Sequence, residues 1–209
     1  IAMSEYKGIK GFQVQTRSSD PGPTEAQTGD FYYNTATGSF RAISTGGAPI
    51  GTWASGGALN TANTGHSGFG LQTAAISCGG QNPTPYSQQT ESYNGTAFSI
   101  VNNMPTTRYG FGSAGLQGAG LAFGKTLGTA ANDSTVSWDG TNWTEVNELN
   151  TGRGDQEGVG TQTNALSIGG APNKTETEKW NGTSWTEVNE LNSGGYGRAS
   201  FGSYTSAIA

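Results

Sequence analysis

The sequence has 209 residues, which is enough for one large all-β domain or two small domains. It contains 35 glycines, and 12% of its residues are charged against about 25% in ordinary globular proteins, a composition that disfavours long helices. The net charge is -5 and there is no basic run, so nucleic acid and membrane insertion are both disfavoured.

The first 50 residues form a segment that lacks the repeat found in the rest of the chain. Gly11–Thr16 alternates in the manner of a strand, Asp20–Pro23 breaks it, and Gly29–Phe40 has the pattern of a β-hairpin. A piece of this size buries little apolar surface by itself. We therefore predict an attachment module that finds its core against a partner or against copies of itself.

An internal repeat occupies the remainder of the chain. Three segments share an aromatic residue, then Asn or Asp, then Gly-Thr, and then a closing aromatic residue, with spacings of 45 and 42 residues. These segments are Tyr93–Phe98, Trp138–Trp143 and Trp180–Trp185. Short apolar runs that end at Gly79, Gly124 and Gly169 recur in step, and the three-residue shortening falls in the connection after these glycines. That connection is therefore predicted to be a tolerant loop.

Each repeat is predicted to contain four short strands. In the first repeat they are Gly65–Gly70, Thr73–Cys78, a strand near Glu91–Tyr93, and Phe98–Val101. The third and fourth strands are joined by Asn-Gly or Asp-Gly, which is typical of a type I′ hairpin with positive φ at both central residues. Four antiparallel strands in each repeat predict a β-propeller blade, because stacked blades bury faces that one sheet alone leaves exposed.

This pattern divides the chain into two domains, residues 1–50 and 51–209. The second holds repeats at about 61–105, 106–150 and 151–192, a partial repeat at 193–209, and a lone closing strand at 52–60. The partial repeat aligns with the first two strands of a unit, and the closing strand aligns with a fourth strand. We expect either further sequence beyond Ala209 or an open arc of blades.

The order of a double glycine, an aromatic with Asn or Asp, a Trp, and then Met104–Arg108 or Leu149–Arg153 resembles the kelch repeat. The resemblance covers roughly residues 52–209 and implies an all-β, kelch-like propeller. The sequence departs from the pattern at Lys125, which breaks a glycine pair, and at Phe98, which replaces a Trp. Asn63 and Gly195 stand where the other repeats have arginine.

The N-terminal segment has a resemblance of its own. Gly29–Asn34 followed by Thr37-Gly38 looks like a hairpin common in fibre and appendage proteins of tailed bacteriophages. Glu5–Lys10 ahead of kelch-like repeats is similar to predicted structural proteins of marine phages. The resemblance implies a component of the virion, with the N-terminal module towards the particle and the repeats outward. The partners implied are other virion proteins, further copies of the chain (a trimer is one option), and a receptor or glycan of the host surface.

Catalytic and metal chemistry have little support. One cysteine, Cys78, and one histidine, His66, rule out an internal disulfide, a multi-cysteine metal site and paired-histidine chemistry. Ala119–Thr126 has the spacing of a phosphate loop, but no helix is predicted after it. Carboxylate pairs such as Glu176 with Glu178 fit solvated strand ends better than a tuned acid and base. We predict a protein that is not an enzyme and has no cofactor or metal; the alternative is a carbohydrate-binding or glycan-hydrolysing propeller.

Antiparallel order places the connections between strands 2 and 3, and between strands 4 and 1, on one face of the repeats. The connections Gln81–Gln89, Thr126–Thr135 and Ala171–Thr177 on that face share no sequence, whereas the turns on the other face hardly vary. Variation on a constant scaffold favours recognition, although idle loops have the same composition. The tryptophans of the repeats are predicted to pack between blades. The candidate binding residues on the variable face are Tyr86, Arg108, Tyr109, Lys125, Asp133, Arg153 and Lys174.

Overall fold

A computed structural model describes residues 15–21, 31–42, 55–82, 85–127 and 130–208. The chain divides into two compact units, Ile1–Ala54 and Ser55–Ala209. All regular structure in the described ranges is β-strand, which confirms the all-β prediction. Within those ranges there is accordingly no helix long and apolar enough to cross a membrane.

The N-terminal unit contains a three-stranded sheet of β1 (Gln15–Arg17), β2 (Phe31–Asn34) and β3 (Ser39–Ala42). β2 and β3 form the predicted antiparallel hairpin, and β1 lies parallel to β2. Most of the predicted strand Gly11–Thr16 lies outside the described residues.

Asp20 links the segment after β1 to both strands of the hairpin. Its carboxylate accepts hydrogen bonds from the Tyr32 hydroxyl and the Asn34 amide, each at 2.7 Å, and pairs with Arg41 at 3.0 Å. The Tyr32 and Asn34 hydrogen bonds, followed by the Arg41 charge, hold the pKa of Asp20 below its usual value. Polar contacts therefore organise this small sheet.

The second unit contains three four-stranded antiparallel sheets, one for each predicted repeat, with strands in sequence order. The first repeat comprises β4 (Ser67–Leu71), β5 (Ala74–Cys78), β6 (Thr90–Tyr93) and β7 (Phe98–Val101). The second comprises β8 (Gly112–Leu116), β9 (Ala119–Leu127), β10 (Ala130–Trp138) and β11 (Trp143–Val146). The third comprises β12 (Glu157–Gly160), β13 (Ala165–Ile168), β14 (Thr177–Trp180) and β15 (Trp185–Glu187).

A two-stranded sheet follows the third repeat, formed by β16 (Phe201–Ser203) and β17 (Ser206–Ile208). The segment after the third repeat thus supplies two strands. The first strands of successive sheets lie beside one another in the order β4, β8, β12 and β16.

The turn between the third and fourth strands differs from the prediction. Only the glycine has positive φ, at 91° for Gly95, 95° for Gly140 and 93° for Gly182, so the type I′ assignment was wrong. The side chain before each glycine closes the turn instead. The Asn94 carboxamide oxygen accepts the backbone N–H groups of Thr96 and Ala97, and the same pair of bonds recurs in the other two repeats.

The connection between strands 2 and 3 of the second repeat is also different from the prediction. Instead of a loop at Thr126–Thr135, β9 and β10 continue as a long hairpin with an irregularity between Asn132 and Thr135. In the first and third repeats the second strands end at Cys78 and Ile168, two residues before glycines with positive φ, 94° at Gly80 and 125° at Gly170. Lys125 occupies the equivalent position and keeps the chain extended, since a residue with a Cβ disfavours positive φ.

The hydrophobic core lies between neighbouring sheets. One cluster joins Phe69 and Ile76 of the first repeat to Val136 and Trp143 of the second, and another joins the second repeat to the third. The four repeat tryptophans are 1–8% exposed, which confirms their predicted packing role.

The fourth-strand tryptophans also cross between sheets by hydrogen bonds. The Trp143 indole N–H donates to the Thr90 hydroxyl at 3.0 Å, and Trp185 donates to Thr135 at 3.1 Å. Trp143 and Trp185 therefore have equivalent surroundings, each against the third strand of the preceding repeat.

A chain of backbone hydrogen bonds links the starts of successive repeats. Gly110 N donates to Gly65 O, Asp155 N to Gly110 O, and Gly197 N to Asp155 O, at 2.8–3.2 Å. All four residues are left-handed, with φ between 51° and 62°, and Asp155 alone among them has a side chain. Asp155 and Gly197 are 42 residues apart, whereas the earlier pairs are 45 apart. The shorter third repeat therefore keeps the same backbone contact.

The predicted closing strand at 52–60 is only partly described, and Trp53 lies outside the described residues. The described part, residues 55–60, is not a β-strand. Asn60 nevertheless donates to Glu91 and to Phe98 O, which are the contacts that Asn150 makes with Glu178 and Trp185 O. This segment therefore occupies the place of the end of a preceding repeat.

Candidate binding site

Two of the predicted site residues, Arg108 and Arg153, lie inside the protein, each with 0% of its surface exposed. Both follow the fourth strand of one repeat and insert into the next. The Arg108 guanidinium donates to Gly124 O, Ser134 O and the Ser134 hydroxyl, each at 3.0 Å. These arginines hold strands 2 and 3 of a repeat together and are not available to a ligand at the surface.

Arg153 has a carboxylate partner. It pairs with Glu178 at 3.1 Å, and Glu178 also accepts the backbone N–H groups of Asn150 and Thr151. Burial lowers the pKa of Arg153, and the Glu178 charge opposes this shift. The expectation that Glu178 is a solvated strand end was wrong, because it is completely buried in this network.

Arg108 is buried too, but the second repeat has Val136 at the position of Glu178. Burial lowers the pKa of Arg108 to about 10, so it remains charged at neutral pH. The pKa of Lys125 is also lowered, first by its own burial and second by the positive charge of Arg108. Lys125 is 8% exposed and donates to the Thr106 hydroxyl at 3.3 Å.

The remaining charged candidates, Lys174 and Asp133, lie beside contacts that hold the connecting segments in place. Lys174 pairs with Glu176 at 2.9 Å, and the backbone oxygen of Glu176 accepts from Arg153, which brings these two candidates together. Asp133 lies on β10, where its backbone oxygen accepts the N–H of Leu149. The charged members of the predicted set are thus distributed over the second and third repeats as scaffold contacts.

Tyr86 of the first repeat and Tyr109, which precedes the first strand of the second repeat, come together. Their ring centroids are 5.5 Å apart and the ring planes are tilted by 41°. Tyr109 belongs to the connection between repeats, and Tyr86 to the connection between β5 and β6. Beside them lies an open depression of about 540 Å³. It is lined by Tyr86, Ser87, Gln88, Gln89, Ile100, Asn103 and Thr107.

Most of this lining was missed by sequence reasoning. Aligning the repeats on their aromatic residues places Ile100 opposite Glu145 and Glu187, and Asn103 opposite Glu148 and Glu190. The signal was therefore available as two positions at which the first repeat alone lacks a carboxylate. Ile100 is 61% exposed, so it places an aliphatic side chain at the surface of β7.

Groups that could support metal or nucleophilic chemistry are not assembled in the described part of the chain. It contains no group of three His, Cys, Asp or Glu side chains positioned to hold a metal ion. Cys78 is buried, and this burial raises the pKa of its thiol to about 12, which keeps it protonated and unreactive. No protein-family model and no curated protein matches the sequence.

Proposed function

We propose that this chain is a non-enzymatic structural protein of a tailed bacteriophage appendage, such as a tail or head fibre. Its kelch-like repeats form a propeller or an arc of blades that displays variable connections to virion partners or to the host surface. The main support is a contrast within the repeats. The same contacts join successive repeats, at boundaries that we call seams, while each connection between strands 2 and 3 has a different structure.

The seam contacts support a propeller-like arrangement. The first strands lie side by side, and each fourth-strand tryptophan reaches the preceding sheet. The glutamine in the turn between strands 1 and 2 adds a further clamp. Gln117 donates to the Ser92 hydroxyl at 2.9 Å, and Gln162 donates to Ser137 at 2.9 Å. A frame with this many repeated contacts tolerates changes in its loops.

The connections differ in structure as well as in sequence. In the first repeat, residues 79–82 and 85–89 lie outside the strands, the second repeat has the long β9–β10 hairpin, and the third has a short segment at 169–176. Differences confined to loops on a constant frame favour recognition over catalysis. The two buried carboxylates of the third strands, Glu91 and Glu178, accept hydrogen bonds from the backbone, which supports a structural role for them.

The N-terminal hairpin supports attachment to the particle. β2 and β3 pair in register, and the Asn34 side chain closes the turn by accepting the N–H groups of Ala36 and Thr37. The small size of this described sheet favours a segment that is completed by a partner. In the proposal, that partner is another virion protein or a further copy of the chain.

The test is whether the chain is a stoichiometric part of the particle. Particles of the phage that encodes it would be purified by density gradient and analysed by quantitative mass spectrometry. We expect peptides from both the N-terminal unit and the repeats, at a fixed ratio to a known capsid protein. Absence of these peptides from infectious particles would overturn the proposal.

A further inference from the structure

We propose that the depression beside Tyr86 on the first repeat binds a neutral sugar of a surface glycan. This inference deepens the proposed function, because it names the ligand class that the displayed face takes. We expect the ligand at the first repeat only, and we expect a neutral sugar and not an anionic one.

The shape of the site fits a small ligand. A volume of about 540 Å³ lies within the range of roughly 300–1,000 Å³ found for small-molecule sites. Its open form suits one or two residues at the end of a longer glycan, which must extend away from the protein. The Tyr86 ring at its edge is braced by Tyr109, so the platform is held in place before a ligand arrives.

The lining matches the two kinds of surface on a sugar ring. Tyr86 and the exposed side chain of Ile100 offer apolar contact to the C–H face of the ring. Gln88 and Asn103 offer carboxamides, and Thr107 offers a hydroxyl, which can each donate to and accept from sugar hydroxyls. None of the described residues that line the depression is charged.

Comparison among repeats shows that this neutrality is local to the first repeat. The second repeat has Glu145 and Glu148, and the third has Glu187 and Glu190, at the positions of Ile100 and Asn103. All four glutamates are exposed, so they place negative charge where the first repeat offers an aliphatic group and an amide. The same four-stranded sheet forms with the aliphatic and amide pair or with two glutamates, which indicates that Ile100 and Asn103 are not required for folding.

The experiment measures binding of the purified chain to single sugars by saturation-transfer difference NMR. The probes are the methyl glycosides of glucose, galactose, mannose and N-acetylglucosamine, with N-acetylneuraminic acid as the anionic comparator. We expect saturation transfer to at least one neutral glycoside, strongest at the protons of one ring face. Binding of none of them, or stronger binding of the anionic sugar, would overturn the inference.

Two variants locate the site. Tyr86→Ala removes the platform, and Ile100→Glu installs the residue that the other repeats carry at that position. We expect each to weaken affinity by about tenfold or more, equivalent to roughly 1.4 kcal/mol. Ile100→Glu is expected to leave the melting temperature unchanged, which keeps the test informative should Tyr86→Ala perturb folding.

The matched control is Glu148→Ala, at the second-repeat position equivalent to Asn103, and it is expected to leave affinity unchanged. Binding that survives both Tyr86→Ala and Ile100→Glu would place the sugar elsewhere and overturn the site. Failure of this inference is distinguishable from failure of the proposed function, because the presence of the chain in particles is measured independently of any sugar.

Discussion

The second and third repeats place an arginine at the same buried position but compensate its charge in different ways. Arg153 meets the carboxylate of Glu178, whereas the second repeat has Val136 at that position and Arg108 donates to Gly124 O and to Ser134. In a buried setting, carbonyl and hydroxyl oxygens aimed at a guanidinium can stand in for a carboxylate.

The comparison also explains why the carboxylate is absent from only one repeat. Glu178 accepts both the backbone N–H and the side-chain amide of Asn150. Pro105 stands at the Asn150 position in the second repeat and has neither donor. The second repeat therefore lacks both the Asn donors and the carboxylate that accepts from them. The Nε atoms of Arg108 and Arg153 are alike in both repeats, since each is buried without a hydrogen-bond partner. The second and third repeats therefore differ by linked substitutions, Pro105 with Val136 in one and Asn150 with Glu178 in the other.

The largest effect is expected from Glu178→Ala. The substitution leaves the buried Arg153 without its counter-charge and the N–H groups of Asn150 and Thr151 without an acceptor. We expect a loss of about 3–5 kcal/mol in the free energy of unfolding, measured by urea denaturation. Glu176→Ala is the control, since its partly exposed pair with Lys174 is worth about 1 kcal/mol or less. Equal losses in the two variants would contradict the assignment.

An intermediate effect is expected from Arg108→Met. It removes three hydrogen bonds but strands no carboxylate, so we expect a loss of about 1–3 kcal/mol. Arg153→Met should cost more, about 3–5 kcal/mol, because it leaves Glu178 charged and buried. Equal shifts of the urea midpoint in Arg108→Met and Arg153→Met would contradict the claim that only Arg153 neutralises a buried carboxylate.

The smallest effect concerns Asp155, which occupies the position of Gly110 at the start of the third repeat. Burial raises the pKa of Asp155, although its hydrogen bond with Thr126 opposes this. The folded state then binds the proton more tightly than the unfolded state, so stability contributed by this group falls as pH rises above the ordinary value of 3.8.

Asp155→Asn removes that penalty and keeps a residue that tolerates left-handed φ. We expect a gain in stability of less than about 1 kcal/mol at neutral pH, because the group is partly screened by solvent. The gain should vanish in acid, below pH 3.8. Thermal unfolding at several pH values measures it, and a gain that is independent of pH would show that backbone strain, not charge, is responsible.

Sequence periodicity predicted the sheets well because aromatic and glycine positions are set by packing and turns that every repeat needs. The predicted strand Phe98–Val101, for example, coincides with β7. The turn type was wrong because Asn94 acts through its side chain, which a dipeptide rule for backbone angles does not consider.

The candidate site was harder to predict. The arginines were assigned to the variable face because they lie in connections between strand 4 of one repeat and strand 1 of the next. The pairing that buries Arg153 joins it to a residue 25 positions away. Lys125 in place of a left-handed glycine was a usable signal for the long hairpin of the second repeat. Tyr86 and Tyr109 were both predicted as site residues, but their contact depends on the path of two separate connections.

The left-handed residues that link successive repeats have a genetic consequence. Because Gly65, Gly110, Asp155 and Gly197 make the same backbone contact whatever the length of the intervening loop, a gene segment of 42 or 45 codons can be duplicated or excised with the joint preserved. Each such event would bring in or discard one complete set of loops. Recombination by whole repeats would thus exchange the connecting loops as sets, without point mutations having to rebuild a surface.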